Sequence, residues 1–164
     1  MTLDIRNLLF EQMNATRLII EDNLSLIDPR KEIYPGWKLR ELLAHMTGWD
    51  DAIIAALRAH IDDLPLYLSG IDSLDEYNAT SVSSRKEWDD NLIFNEWRET
   101  RQKLCQIIEH MSEDKFSSPV AVPWGGISSV MDLMELCREH ETEHATDILT
   151  WLKTPGKPIE RVGG

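Results

Sequence analysis

The sequence predicts an all-α protein, a four-helix bundle with a long crossover that carries a short extra helix. Three observations predict it. Four stretches of about 20 residues repeat apolar side chains at helical spacing. No segment sustains the period-two alternation of a half-buried strand, so no sheet is expected. The second and third long stretches are separated by a polar connection long enough to cross the bundle.

The first helix spans about Leu3 to Ile27, with Leu8, Leu9, Met13, Ile20, Leu24 and Ile27 among its apolar positions. Asp28-Pro29 ends it, because proline disfavours the helical conformation in the residue before it. After the turn signal Tyr34-Pro35-Gly36, Trp37 to Ile61 carries Leu39, Leu42, Met46, Ile53 and Leu57 along one stripe and is the clearest amphipathic helix. The pattern weakens from Asp62 to about Trp88, where Pro65, Gly70 and Ser/Asp punctuation mark the crossover, with a short helix expected around Leu74 to Val82. Asn91 to Met111 restores helical spacing through Leu92, Ile93, Trp97, Leu104 and Ile108. KFSSPVAVPWGG then reads as a loop with a brief extended piece at Pro119 to Val122. Ser128 or Ser129 can cap a last helix that runs to about Lys153, before Thr154-Pro155-Gly156 stops it. One domain over residues 1–154 with a tail at 155–164 is the organisation expected for 164 residues.

Composition narrows the function. Acidic residues number 29 against 17 basic ones, giving a formal charge of −12. Without Lys/Arg clusters to displace counterions, a nucleic-acid partner is not expected. The longest apolar runs, such as Ala52 to Leu57, fall far short of a bilayer span, and the opening MTLDIRNLLFEQ has no signal-peptide pattern. No membrane partner is expected, and a soluble, cytoplasmic protein is. Cys105 and Cys137 are isolated and read as reduced core residues.

The residues that carry chemistry are in the last helix. His140-Glu141-Thr142-Glu143-His144 fits H-E-x-x-H. On a helical wheel with His144 at about 0°, Cys137 falls near about 20°, Ile148 near about 40°, Leu133 and Trp151 near about −20° and His140 near about −40°, so both histidines belong to the apolar stripe. Imidazoles at i and i+4 lie one above the other and can grip one ion, and two unsatisfied core histidines in one turn are costly. The competing reading is a pair of packing histidines. Glu141 lies about 60° from His144 and also points partly inward, where an ionised carboxylate needs a partner. Asp147, one turn beyond His144, is placed to accept from a ligating imidazole. For a third ligand, His45 sits at the core border of the second helix with Trp49 on the same flank and small alanines beside it. It is preferred to His60, which could also line the core, and to His110 at a helix end. A zinc peptidase is the weaker reading. The extended H-E-x-x-H-x-x-G-x-x-H pattern fails at Asp147 and Thr150, and the acidic residues after His144 are Asp147 and Glu160 alone.

Together, WKLRELLAHMTGW (Trp37 to Trp49), PWGG (Pro123 to Gly126) and His140-Glu141-x-x-His144 before Asp147-Ile148 resemble the DinB-like superfamily. That group includes DNA-damage-inducible proteins and, more distantly, mycothiol-dependent isomerases and bacillithiol S-transferases. The resemblance implies a four-helix bundle in which His45, His140 and His144 hold a divalent ion, often zinc or nickel, commonly in a homodimer. It implies an enzyme in which the metal activates a low-molecular-weight thiol, or water, for attack on a small electrophile. Within that reading Glu141 acts as general base or orients the nucleophile, and Asp147 fixes a ligand tautomer. The distant isomerases are expected to carry a glutamate within the histidine pair, so their substrate does not carry over. The alternative from another class is a non-catalytic metal-binding or stress-associated module.

Overall fold

A computed structural model describes residues 2–66 and 73–160. The elements run α1 (Thr2–Asn23), a 3-10 turn (Leu24–Leu26), α2 (Leu39–Ile61), α3 (Leu74–Ser83), α4 (Asp90–Glu109), α5 (Glu113–Ser117), β1 (Val120–Ala121), β2 (Ile127–Ser128) and α6 (Val130–Trp151). The four long helices and the crossover helix are those expected, although α1 hands over to a 3-10 turn before Asp28-Pro29 and α6 stops at Trp151. Part of the expected crossover, residues 67–72, lies outside the described residues. Two features differ from expectation. Ser112 caps the extra turn of α5 by accepting from Lys115 N, and β1 pairs antiparallel with β2, Val120 opposite Ser128 and Ala121 opposite Ile127. Strands of two residues are too short to show alternation, which is why the sequence reads as loop.

Side-chain caps set the helix starts. Ser73, Asp89 and Ser129 each accept from the backbone N–H three residues on. The Asp132 carboxylate returns to Ser129 N, completing a capping box that fixes where α6 begins and so the phase of its histidines.

The core divides into two apolar clusters. One gathers Met13, Ile53, Leu57, Leu104, Ile108 and Leu133; the other gathers Ile20, Leu42, Leu43, Ile93, Trp97 and Trp151. Trp97 and Trp151 are fully buried and each withdraws roughly 150–250 Å² from water. Residue numbers rise from the first cluster to the second along α1 and α6, and from the second to the first along α2 and α4. Hence α2 and α4 run the same way, which a short turn cannot connect, and the crossover through α3 follows. Helix α2 packs along α4, and α1 along α6.

Crossover and bundle meet at Gly48. A Cβ there would stand 2.3 Å from Ser81 Oγ, so only glycine lets α3 approach α2 this closely. Tyr77 Oη donates to Gly48 O at 2.5 Å, fixing the contact. No described helix is long and apolar enough to cross a membrane.

Candidate metal centre

Alpha helices α2 and α6 bring three imidazoles to one point. His45 Nε2 and His144 Nε2 each lie 3.0 Å from His140 Nε2. The three donor atoms fall within 4.8 Å of one another. His45 and His144 are buried, at 5% and 2% exposure, and His140 is half-buried. An imidazole nitrogen carries either one lone pair or one hydrogen, so His140 Nε2 cannot serve both neighbours in line. A single cation satisfies all three lone pairs at once. Tetrahedral ligands at about 2.0–2.1 Å from zinc stand about 3.3 Å apart, close to the spacing here. The residues fit a divalent ion, and a neutral three-histidine set suits zinc or nickel.

The groups behind His144 set its tautomer. The Tyr34 hydroxyl donates to Asp147 Oδ2 at 2.6 Å and lies 2.9 Å from His144 Nδ1. Its one hydrogen is used on the carboxylate, so its oxygen accepts from Nδ1–H, and His144 Nε2 keeps its lone pair for the cluster. Asp147 thus reaches the histidine through a tyrosine that sequence reasoning missed. Tyr34 enters through the Tyr34-Pro35-Gly36-Trp37 turn, with proline at its second position and Gly36 at φ 78° in its third. The same turn sets the Trp37 ring 5.1 Å from that of His45. Trp49 stands with its ring centroid 6.3 Å from that of His140 and donates from Nε1 to Asn78 Oδ1.

The other two histidines stand apart from the cluster. His60 Nε2 bonds Lys115 O at 2.8 Å, and exposed His110 bonds Gln106 O within its own helix.

Glu141 belongs to a different assembly. Arg101 Nη1 donates to its Oε2 at 2.7 Å, and Arg17 Nε lies 2.5 Å from its Oε1. Arg101 also grips Asp50 with two bonds, at 2.8 and 3.0 Å, while Arg17 Nη2 lies 3.4 Å from Asp50 Oδ2. Four helices contribute one charge each, α1 Arg17, α2 Asp50, α4 Arg101 and α6 Glu141, in a closed ring of zero net charge. It lies between the two apolar clusters, and the Arg17 guanidinium also covers the Trp97 ring at 4.0 Å. Burial pushes the Glu141 carboxyl above the usual range, against the pull of Arg101 and Arg17. Burial opposes charge on Arg101, but Asp50 and Glu141 outweigh it and hold that guanidinium firmly protonated. Arg17, Asp50 and Arg101 were not singled out from the sequence. The available signal was their register: each lies four residues after one core position and three before the next, as in Trp97, Arg101, Leu104.

A cavity of about 730 Å³ opens beside His45 and His140. Its walls include Met46, Trp49 and Ile53 of α2, Asn78 of α3, Leu136 and Cys137 of α6, and Trp124 of the β1–β2 turn, and it reaches Asp50, Arg101 and Glu141. Burial pushes the Cys137 thiol up to about 12. At neutral pH it is therefore a thiol, not a nucleophile.

The long helices form a bundle with a crossover helix. Two solved structures share it: the mycothiol-dependent maleylpyruvate isomerase, at TM-score 0.65, and a histidine-to-alanine variant of that enzyme, at 0.67. Each is 19% identical to this chain over 85% of its length, and the match spans 60% of the isomerase chain. No family model matches the sequence, and no curated protein matches it significantly.

Proposed function

We propose that this protein is a divalent-metal-dependent enzyme in which His45, His140 and His144 hold the ion, with a small thiol, or water, as nucleophile and a small electrophile as substrate. The observation that carries this is the convergence of three Nε2 atoms beside a ligand-sized cavity, with Tyr34 and Asp147 fixing one tautomer behind them. A zinc or nickel ion bound there lowers the pKa of a thiol or water so that the anion is available near neutral pH. The fold shared with a mycothiol-dependent isomerase favours the thiol, making S-transfer the first choice and hydrolysis the second. In S-transfer the sulfur pair forms the new C–S bond, and the leaving group departs with the electrons of the bond it loses.

The protein's own residues bind and orient. Tyr34 holds His144, Trp37 and Trp49 flank the cluster, and Cys137 contributes only a neutral wall. Glu141 has both oxygens engaged by guanidiniums and turned away from the cluster, so its role is to hold α6 in phase by locking it to α1 and α4. Two free cysteines accord with a reducing, cytoplasmic setting. A homodimer would use the outer face of α1, where Leu8, Leu18 and Ile19 are 54%, 57% and 40% exposed.

The test is turnover of a panel of small thiols with electrophiles by zinc- or nickel-loaded protein, with His45→Ala in parallel. Turnover is expected and is abolished in the variant. Turnover that survives His45→Ala overturns the assignment. Tight metal binding without turnover on any pair leaves a non-catalytic metal-binding module.

A further inference from the structure

The cavity wall beside the histidines has a chemical bias of its own. Two indoles face it, Trp49 and Trp124, with ring centroids 5.8 Å apart, together with Met46, Ile53 and Leu136. The Trp49 bond to Asn78 holds one indole in place before any ligand arrives. Its charged residues among those described are Asp50, Arg101 and Glu141. All three guanidinium nitrogens of Arg101 already donate, Nε and Nη2 to Asp50 and Nη1 to Glu141. Away from the ion, which the thiol occupies in the reading above, a carboxylate entering here meets two carboxylates and a cation already bound to both. To take Arg101 from them it would leave buried charges unpaired, the costliest outcome available. The net charge of −12 repels it further.

We infer that the cavity admits an uncharged aromatic molecule and rejects carboxylates, so the electrophile is neutral and carries a ring that packs against Trp49 and Trp124. This rests on the functional reading above and sets its substrate class. A volume of about 730 Å³ is within the range of sites for drug-sized ligands, enough for an aromatic electrophile and a thiol side by side.

The experiment reads binding, so it does not depend on catalysis. The purified protein is titrated with N-phenyl-1-naphthylamine, a neutral aromatic dye that brightens in apolar sites, and the bound dye is challenged with naphthalene or with maleate. Saturable binding near one dye per chain is expected. Naphthalene displaces it and maleate does not. Trp124→Ala should weaken the dye several-fold, since an aromatic pair is worth up to about ten-fold in affinity. Leu136→Glu, at a position 41% exposed and safe for folding, should nearly abolish it. Competition by maleate, or dye affinity indifferent to both variants, overturns the inference. A protein that binds the dye as expected but transfers no thiol sinks the catalytic reading alone, and one that turns over a dicarboxylate sinks only this one.

Discussion

The histidine cluster and the arginine–carboxylate ring share α6 within one helical turn, and they treat their polar atoms in opposite ways. His140 and His144 turn their Nε2 atoms toward His45 Nε2 beside a cavity, where a cation is the partner that fits all three. Glu141, between them in sequence, spends both oxygens on Arg17 and Arg101 in a closed, neutral ring. On the function proposed above, the letters of one short motif serve two devices, a binding site and an internal brace. That division separates this protein from a zinc peptidase, where the glutamate must face the metal-bound water to act as base.

Breaking the brace should cost the most. Arg101→Met leaves Asp50 and Glu141 buried without their shared cation, and about 3–5 kcal/mol of stability should be lost. Urea unfolding of metal-stripped protein measures this, and His140→Ala under the same conditions should shift by no more than about 1 kcal/mol, because its side chain is half-buried. Equal losses in the two variants would erase the contrast. Glu141→Gln sharpens it. The amide keeps a hydrogen bond but loses the charge, so about 1–3 kcal/mol should go while metal content stays at the unsubstituted level. A general base would behave differently, with activity gone and stability untouched.

A smaller effect is expected behind the histidines. Tyr34→Phe removes the group that fixes the His144 tautomer, and metal affinity should fall by about 10–100-fold with the fold intact. Competition with a coloured chelator gives the number, and affinity unchanged in the variant would remove Tyr34 from the site. Smallest is the response of Cys137. Burial pushes its thiol up to about 12, so the reactive thiolate appears only as pH rises far above neutrality. Iodoacetamide at pH 8 should leave Cys137 unmodified in folded protein, as peptide mass mapping would reveal.

Much of this was legible before the structure. The four long helices, the crossover helix and the inward stripe of His140 and His144 follow from apolar spacing, because helix phase is a local property. His45 was legible as a border position, and its pairing with α6 needed the resemblance or the fold. Asp147 was expected to accept from a ligating imidazole, whereas the bond it accepts in the structure comes from Tyr34, 113 residues away in sequence, and a turn residue has no periodicity to betray it. The ring was half visible. Glu141 was seen to need a partner, while Arg17, Asp50 and Arg101 sat unremarked in core register on three other helices. Four charges at buried heptad positions that sum to zero are themselves a signal, readable once each apolar stripe is checked for the charge that interrupts it. The two-residue strands and α5 carry too few residues for any pattern to form.

The proposed function stands or falls on whether His45, His140 and His144 together hold one ion without Glu141. Elemental mass spectrometry of protein purified without a histidine tag and reconstituted with zinc or nickel tests it most directly. Close to one metal per chain is expected, with near zero in His144→Ala and an unchanged value in Glu141→Gln. Little metal in the unsubstituted protein, or a full complement in His144→Ala, would contradict it and leave the three imidazoles as packing.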